Sequence, residues 1–187
     1  MNILVIGNGF DLAHDLPTKY TDFLKFTKVI MEVLDKFNSE NSEIDWGEIN
    51  SLIKKQINQE RGNVRNSLYS KEAMWKDLIW NNFWIDYFQQ NSMYQKENWI
   101  DFESEISKVI RSLDADMRSS ISGYLNLEDK IQRIRNRFLY KRYSDWFGIK
   151  TYRQLRDKLL DDLNKLIRAL EIYLCEYVEK IDIASKL

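Results

Sequence analysis

The chain has 187 residues, of which 44% are hydrophobic and 13% aromatic, enough to bury the core of one domain and too apolar for a disordered segment. Its 28 basic and 29 acidic side chains leave a net charge of -1, so no global field draws it to nucleic acid or to a membrane surface. The single cysteine, Cys175, excludes an intramolecular disulfide and suits a reducing cytoplasm, while one proline and six glycines favour long helices over a many-stranded sheet.

The chain opens on Ile3-Leu4-Val5-Ile6, an unbroken and mostly β-branched run that stops at Gly7. Such a run suits a strand buried on both faces, the kind found in parallel sheets. It is too short for a secretory leader and no Lys or Arg precedes it, and no later stretch approaches the ~20 apolar residues that span a bilayer. No membrane partner is therefore expected. Gly7 and Gly9 permit the positive φ angles and close backbone approach of a tight strand-to-helix turn. Free amides at such a turn, with a helix macrodipole behind them, can cradle a phosphate. The full dinucleotide fingerprint G-x-G-x-x-G is not met, because Leu12 stands at the third glycine position. On spacing alone, a plain β-turn-α connection competes with a nucleotide site.

Two titratable groups sit at this turn and are the candidate catalytic residues, Asp11 and His14. His14 is the only histidine, suited to general-base work or ligand binding, with helix-end packing or capping as the structural alternative. Asp11 lies where a helix N-terminus stabilises a carboxylate, which suits orienting a ribose or a water as well as capping the turn. No serine or cysteine nucleophile is arranged with them, and one histidine does not make a metal cluster.

Six helices follow in the pattern of apolar residues. Thr18 is a plausible N-cap for a helix over 19–37 with Tyr20, Phe23, Leu24, Phe26, Val29, Ile30, Val33, Leu34 and Phe37 at three- and four-residue steps. A second helix is predicted over 45–58, with Trp46, Ile49, Ile53 and Ile57 on one face, and 59–70 reads as a loop. A third, over 71–90, carries an aromatic stripe including Trp75, Trp80, Phe83, Trp84 and Phe88. Its helical spacing and lack of basic residues mark it as core and not as a base-stacking platform. The fourth, over 98–117, buries Ile100, Ile106, Val109, Ile110 and Leu113. Asp101 and Glu103 near its start are two apart and do not share a face. Glu103 is an additional candidate reaching back to the glycine turn, against the plainer role of a solvated first-turn carboxylate.

A fifth helix is predicted over 127–146 and a sixth over 151–183. The sixth has Leu155, Leu159, Leu163, Leu166, Leu170, Tyr173, Leu174 and Tyr177 at near-heptad spacing, which suggests a long seam and a homo-oligomer. Between Lys130 and Tyr143 six basic residues interleave with Phe138, Tyr140 and Tyr143, the composition of a single-stranded nucleic-acid surface. Flanking acids Glu128, Asp129 and Asp145 favour a solvated helix face instead, so nucleic acid is the less expected partner.

Read as one stretch, Ile6-Gly7-Asn8-Gly9-Phe10-Asp11-Leu12-Ala13-His14-Asp15-Leu16-Pro17-Thr18-Lys19-Tyr20, continued by Asp22-Phe23-Leu24, resembles the opening signature of the AbiH family, bacterial proteins of abortive infection against bacteriophage. Trp99-Ile100-Asp101-Phe102-Glu103 resembles a second, shorter family feature. Asp15 stands where relatives usually have glycine, and aspartate tolerates the left-handed conformation better than most residues. A more distant resemblance follows, to the opening of sirtuin-type NAD-binding domains. It implies Gly7, Asn8 and Gly9 as the phosphate turn, Phe10 and Asp11 facing the ligand, and Leu16-Pro17-Thr18 as a second wall. On this analogy NAD or another nucleotide is the ligand, NAD glycohydrolase-type chemistry the activity, and no cofactor is required structurally.

The fold class expected is α/β by family but predominantly α-helical in this chain. One N-terminal parallel-type strand is followed by about six helices, in a single domain over 1–187 with strand, turn and signature in 1–24 and helices in 25–187. One strand alone satisfies neither its backbone groups nor its two faces. AbiH relatives are generally longer, which implies an incomplete Rossmann-like domain belonging to a longer protein; pairing of Ile3–Ile6 with a second chain is the alternative.

Overall fold

A computed structural model describes residues 16–36, 43–47, 49–63, 65–90, 101–118, 149 and 151–181, without side-chain detail at 60–70 and 116–118. The described elements are helices α1 (Tyr20–Lys36), α2 (Ser51–Asn63), α3 (Arg65–Ile79), α4 (Phe83–Gln90), α5 (Phe102–Arg118) and α6 (Tyr152–Tyr173). A π-helical turn, Leu174–Val178, continues α6. Among the described residues there is no strand. The expected N-terminal strand, the glycine turn and the helix over 127–146 lie outside them.

The chain divides into two compact units, one of residues 1–82 with 165–187 and one of residues 83–164. Helix α6 gives its first half to the second unit and its end to the first.

In the first unit α1 forms because its apolar residues recur at helical steps, and Phe23, Phe26, Val29, Ile30 and Val33 are all buried. Tyr20, expected in the same stripe, is 38% exposed. The first intrahelical bond runs from the Phe23 amide to the Lys19 carbonyl at 3.2 Å, so the helix starts later than a Thr18 cap would give. Phe26 is the centre of an aromatic cluster, with ring centroids of Tyr177, Tyr173 and Trp75 at 4.7, 4.8 and 5.5 Å. Tilted and edge-on rings at these separations are favourable beyond the area they bury. Lys71 pairs with Glu176 and Lys165 with Asp77, tying α3 to the π-helical turn and to the second half of α6.

Three predicted boundaries are corrected here. The second helix begins at Ser51, because Asn50 caps it: its Oδ1 accepts the Leu52 amide at 2.9 Å and its carbonyl the Lys54 amide at 3.0 Å. Residues 43–50, expected to be partly helical, include an Asx-type turn in which the Asp45 carboxylate takes the Gly47 amide and Gly47 adopts φ +50°. The predicted loop over 59–70 is instead mostly helical, Gly62 included, since α2 runs to Asn63 and α3 starts at Arg65. The predicted third helix is two helices, broken where Asn81 takes φ 54°. Asparagine bears that conformation more easily than most residues.

The second unit holds α4, α5 and the first half of α6. Phe88 and Phe102 stack α4 on α5 with centroids 4.0 Å apart. Trp84 is buried and donates its indole N–H to the Leu159 carbonyl at 2.9 Å. The start of α5 is fixed by Asp101, whose Oδ1 accepts the Ser104 amide at 2.9 Å. Ile110, expected in the buried stripe of α5, is 47% exposed. The aromatic stripe of residues 75–88 is largely core: Trp75, Phe83, Trp84 and Phe88 are buried, while Tyr87 is half-buried, as is Trp80, which has Lys76 Nζ 4.6 Å from its ring centroid. So are Leu155, Leu159, Leu166, Tyr173 and Tyr177 of the near-heptad stripe, which therefore packs largely inside its own chain.

Candidate functional site

Of the residues singled out by sequence, Gly7, Asn8, Gly9, Phe10, Asp11 and His14 lie outside the described residues, as does the basic segment 130–143. The described part of the signature is its downstream wall, Leu16, Pro17 and Thr18, and the Lys19–Leu24 stretch that opens α1. Pro17 is buried and its two neighbours are half-buried. The Thr18 amide donates to the Leu16 carbonyl at 2.9 Å, closing a tight turn across the proline. The Pro17 carbonyl accepts the Tyr173 hydroxyl at 2.6 Å. A residue at the end of α6 thus holds Pro17 of the signature.

Electrostatics around this anchor follow from burial. Tyr173 is buried, and desolvation, with the Asp22 charge behind it, pushes its hydroxyl well above the ordinary tyrosine range. At neutral pH it is therefore protonated and a donor. Asp22, in the first turn of α1, is raised by its own desolvation against the lowering influence of Lys25 and the Lys19 backbone. Glu103 is exposed in the first turn of α5, the plain carboxylate position, and the described residues give it no hydrogen-bond partner. Asp101, next to it, is occupied as the cap of that helix.

A second polar centre, which the sequence reading missed, lies in the second unit. Asp162 is 1% exposed, with Oδ2 accepting the Phe83 amide at 3.1 Å and Oδ1 accepting Lys158. Its pKa is raised by desolvation, with Lys158 and the Phe83 amide opposing. Asp86, one turn into α4, is pushed up to about 6 by burial and by the neighbouring Asp162 charge. The signal was present: 162 falls in step with the buried positions 155, 159 and 166, and a carboxylate there has to have partners. Its bonds are those of a structural cap. The same unit has a groove of about 260 Å³ lined by Trp84, Leu113, Leu155 and Leu159, with exposed Ile110 and Leu160 also on it. Among the described residues no set of three or more His, Cys, Asp or Glu side chains is placed to hold a metal ion.

These features define a mostly helical protein, in its described residues, in which Pro17 of the N-terminal signature is held by Tyr173 of α6. The family model described as bacteriophage abortive infection AbiH matches residues 3–187, so the chain belongs to the AbiH family. The match extends the resemblance from the opening signature to nearly the whole chain. No curated protein and no solved structure matches it. No helix among the described residues is long and apolar enough to cross a membrane.

Proposed function

We propose that this AbiH protein acts in the bacterial cytoplasm as a bacteriophage-defence protein that binds a nucleotide, NAD or a relative of it, at the turn Gly7-Asn8-Gly9. The observation that carries the reading is the order of residues in the signature: an apolar run, a glycine–Asn–glycine turn, then the Leu16-Pro17-Thr18 wall. Amides freed at such a turn grip a pyrophosphate, and the distant resemblance to sirtuin-type domains supports NAD in particular. Phe10 and Asp11 then face the ligand, with Asp11 and His14 the groups to orient a ribose or to move a proton for hydrolysis. Pro17, buried in the described part of the signature, is the candidate second wall. NAD at millimolar concentration is expected to raise the thermal midpoint of the wild-type protein, and Gly9→Val to abolish that rise by placing a branched side chain where backbone must approach ligand. An unchanged midpoint in the wild type contradicts the reading.

A second reading, a helical interaction module that oligomerises without catalysis, is favoured by one observation. Leu160 is 56% and Ile110 47% exposed on the same apolar groove. It predicts a concentration-dependent mass in solution that Leu160→Glu abolishes.

A further inference from the structure

The bond between Tyr173 and Pro17 joins residues 156 apart and ties two ends of the sequence within one compact unit. Proline has no N–H, so its carbonyl is the only backbone group through which position 17 can be held by a hydrogen bond. That carbonyl is taken by a side chain whose own freedom is small. The Tyr173 ring lies against Phe23 and Phe26 of α1, with centroids at 5.7 and 4.8 Å, and is 1% exposed. These two α1 residues lie six and nine positions after Pro17. The ring is therefore fixed by the helix that the signature leads into, and its hydroxyl fixes the segment leading there.

We propose that Tyr173 is a positioning residue for the signature: its hydroxyl sets where the chain enters α1, and so sets the wall that Pro17 and Thr18 present to a bound nucleotide. The ligand half of this inference rests on the nucleotide reading above; the positional half does not. Tyr173→Phe keeps the ring packing and removes only the bond to Pro17. Trp84→Phe is the comparison in the other unit, where it removes the buried hydrogen bond to Leu159 and trims the ring, a loss at least as large.

Two measurements separate the halves. Native-state hydrogen exchange of the Thr18, Asp22 and Phe23 amides, which donate to Leu16 and Lys19, is expected to quicken about tenfold in Tyr173→Phe and to be unchanged in Trp84→Phe. Equal exchange at these amides in wild type and Tyr173→Phe overturns the proposal. Titration with NAD is expected to give a Kd about tenfold weaker in Tyr173→Phe and unaltered in Trp84→Phe. A merely stabilising bond would lower the thermal midpoint of both variants and leave both affinities alone, which overturns the ligand half. If the wild type binds no NAD while exchange still quickens, the positional half is upheld and the nucleotide reading fails.

Discussion

The Asp162 carboxylate caps helix α4 from 79 residues away, accepting the Phe83 amide at 3.1 Å while its other oxygen accepts Lys158. A helix start leaves amides without intrahelical partners, and a buried one needs an acceptor from elsewhere. Here the acceptor comes from α6. Asp162→Ala removes the acceptor that the Phe83 amide and Lys158 share and is expected to cost about 2–4 kcal/mol. Asp162→Asn, which keeps an acceptor oxygen, should cost clearly less. Urea denaturation of the two variants checks the order; equal costs would show that the cap is not what Asp162 supplies.

Asp86 makes stability depend on pH. Its folded pKa, about 6, lies above the usual 3.8 because of burial and the Asp162 charge. The folded state therefore holds the proton more tightly than the unfolded chain, and the contribution of this group falls as pH rises from about 4 to about 6. The positive end of the α4 dipole offsets part of the penalty. Asp86→Asn removes the titrating charge and is expected to add roughly 1–2 kcal/mol at pH 7 and almost nothing at pH 4. Thermal midpoints of wild type and variant across this window test it; a difference independent of pH would refute the assignment to Asp86.

Phe26 is the ring on which the first unit converges. It is fully buried among Trp75, Tyr173 and Tyr177, so truncation leaves a cavity that three large rings cannot easily close. Phe26→Ala is expected to destabilise by about 3–5 kcal/mol in urea unfolding. Phe88→Ala should do the same in the second unit by removing the contact with Phe102. Separate unfolding transitions in the two variants would reveal two cooperative units; a single shared transition would show that they unfold as one.

Helical periodicity was the legible part of this sequence. The buried face of α1 follows from spacing alone, and so does the burial of Trp75, Phe83, Trp84 and Phe88, although these four divide between the two units. Breaks were harder to read. The apolar period runs through Leu78, Ile79 and Phe83 as if nothing intervened, and only the Asn81-Asn82 pair marks the kink. Likewise Trp46 and Ile49 continue the period of Ile53 and Ile57 backwards, whereas the Asn50 side chain sets the true start. The polar stretch Gln59–Asn63 reads as loop because a helix there has almost no apolar face to show. Long-range polar ties, Asp162 to Phe83 and Tyr173 to Pro17, leave little trace in local order. The signature at Gly7–His14 was legible as a motif, and its geometry falls outside the described residues.

The most direct measurement of the central claim is where a nucleotide sits. Irradiating the protein with a photoreactive azido-adenine NAD and mapping the labelled peptides is expected to place the adduct within residues 2–19, with unlabelled NAD competing it away and Gly9→Val lacking it. Labelling spread over other peptides, or undiminished by competitor, would contradict a nucleotide site at the signature.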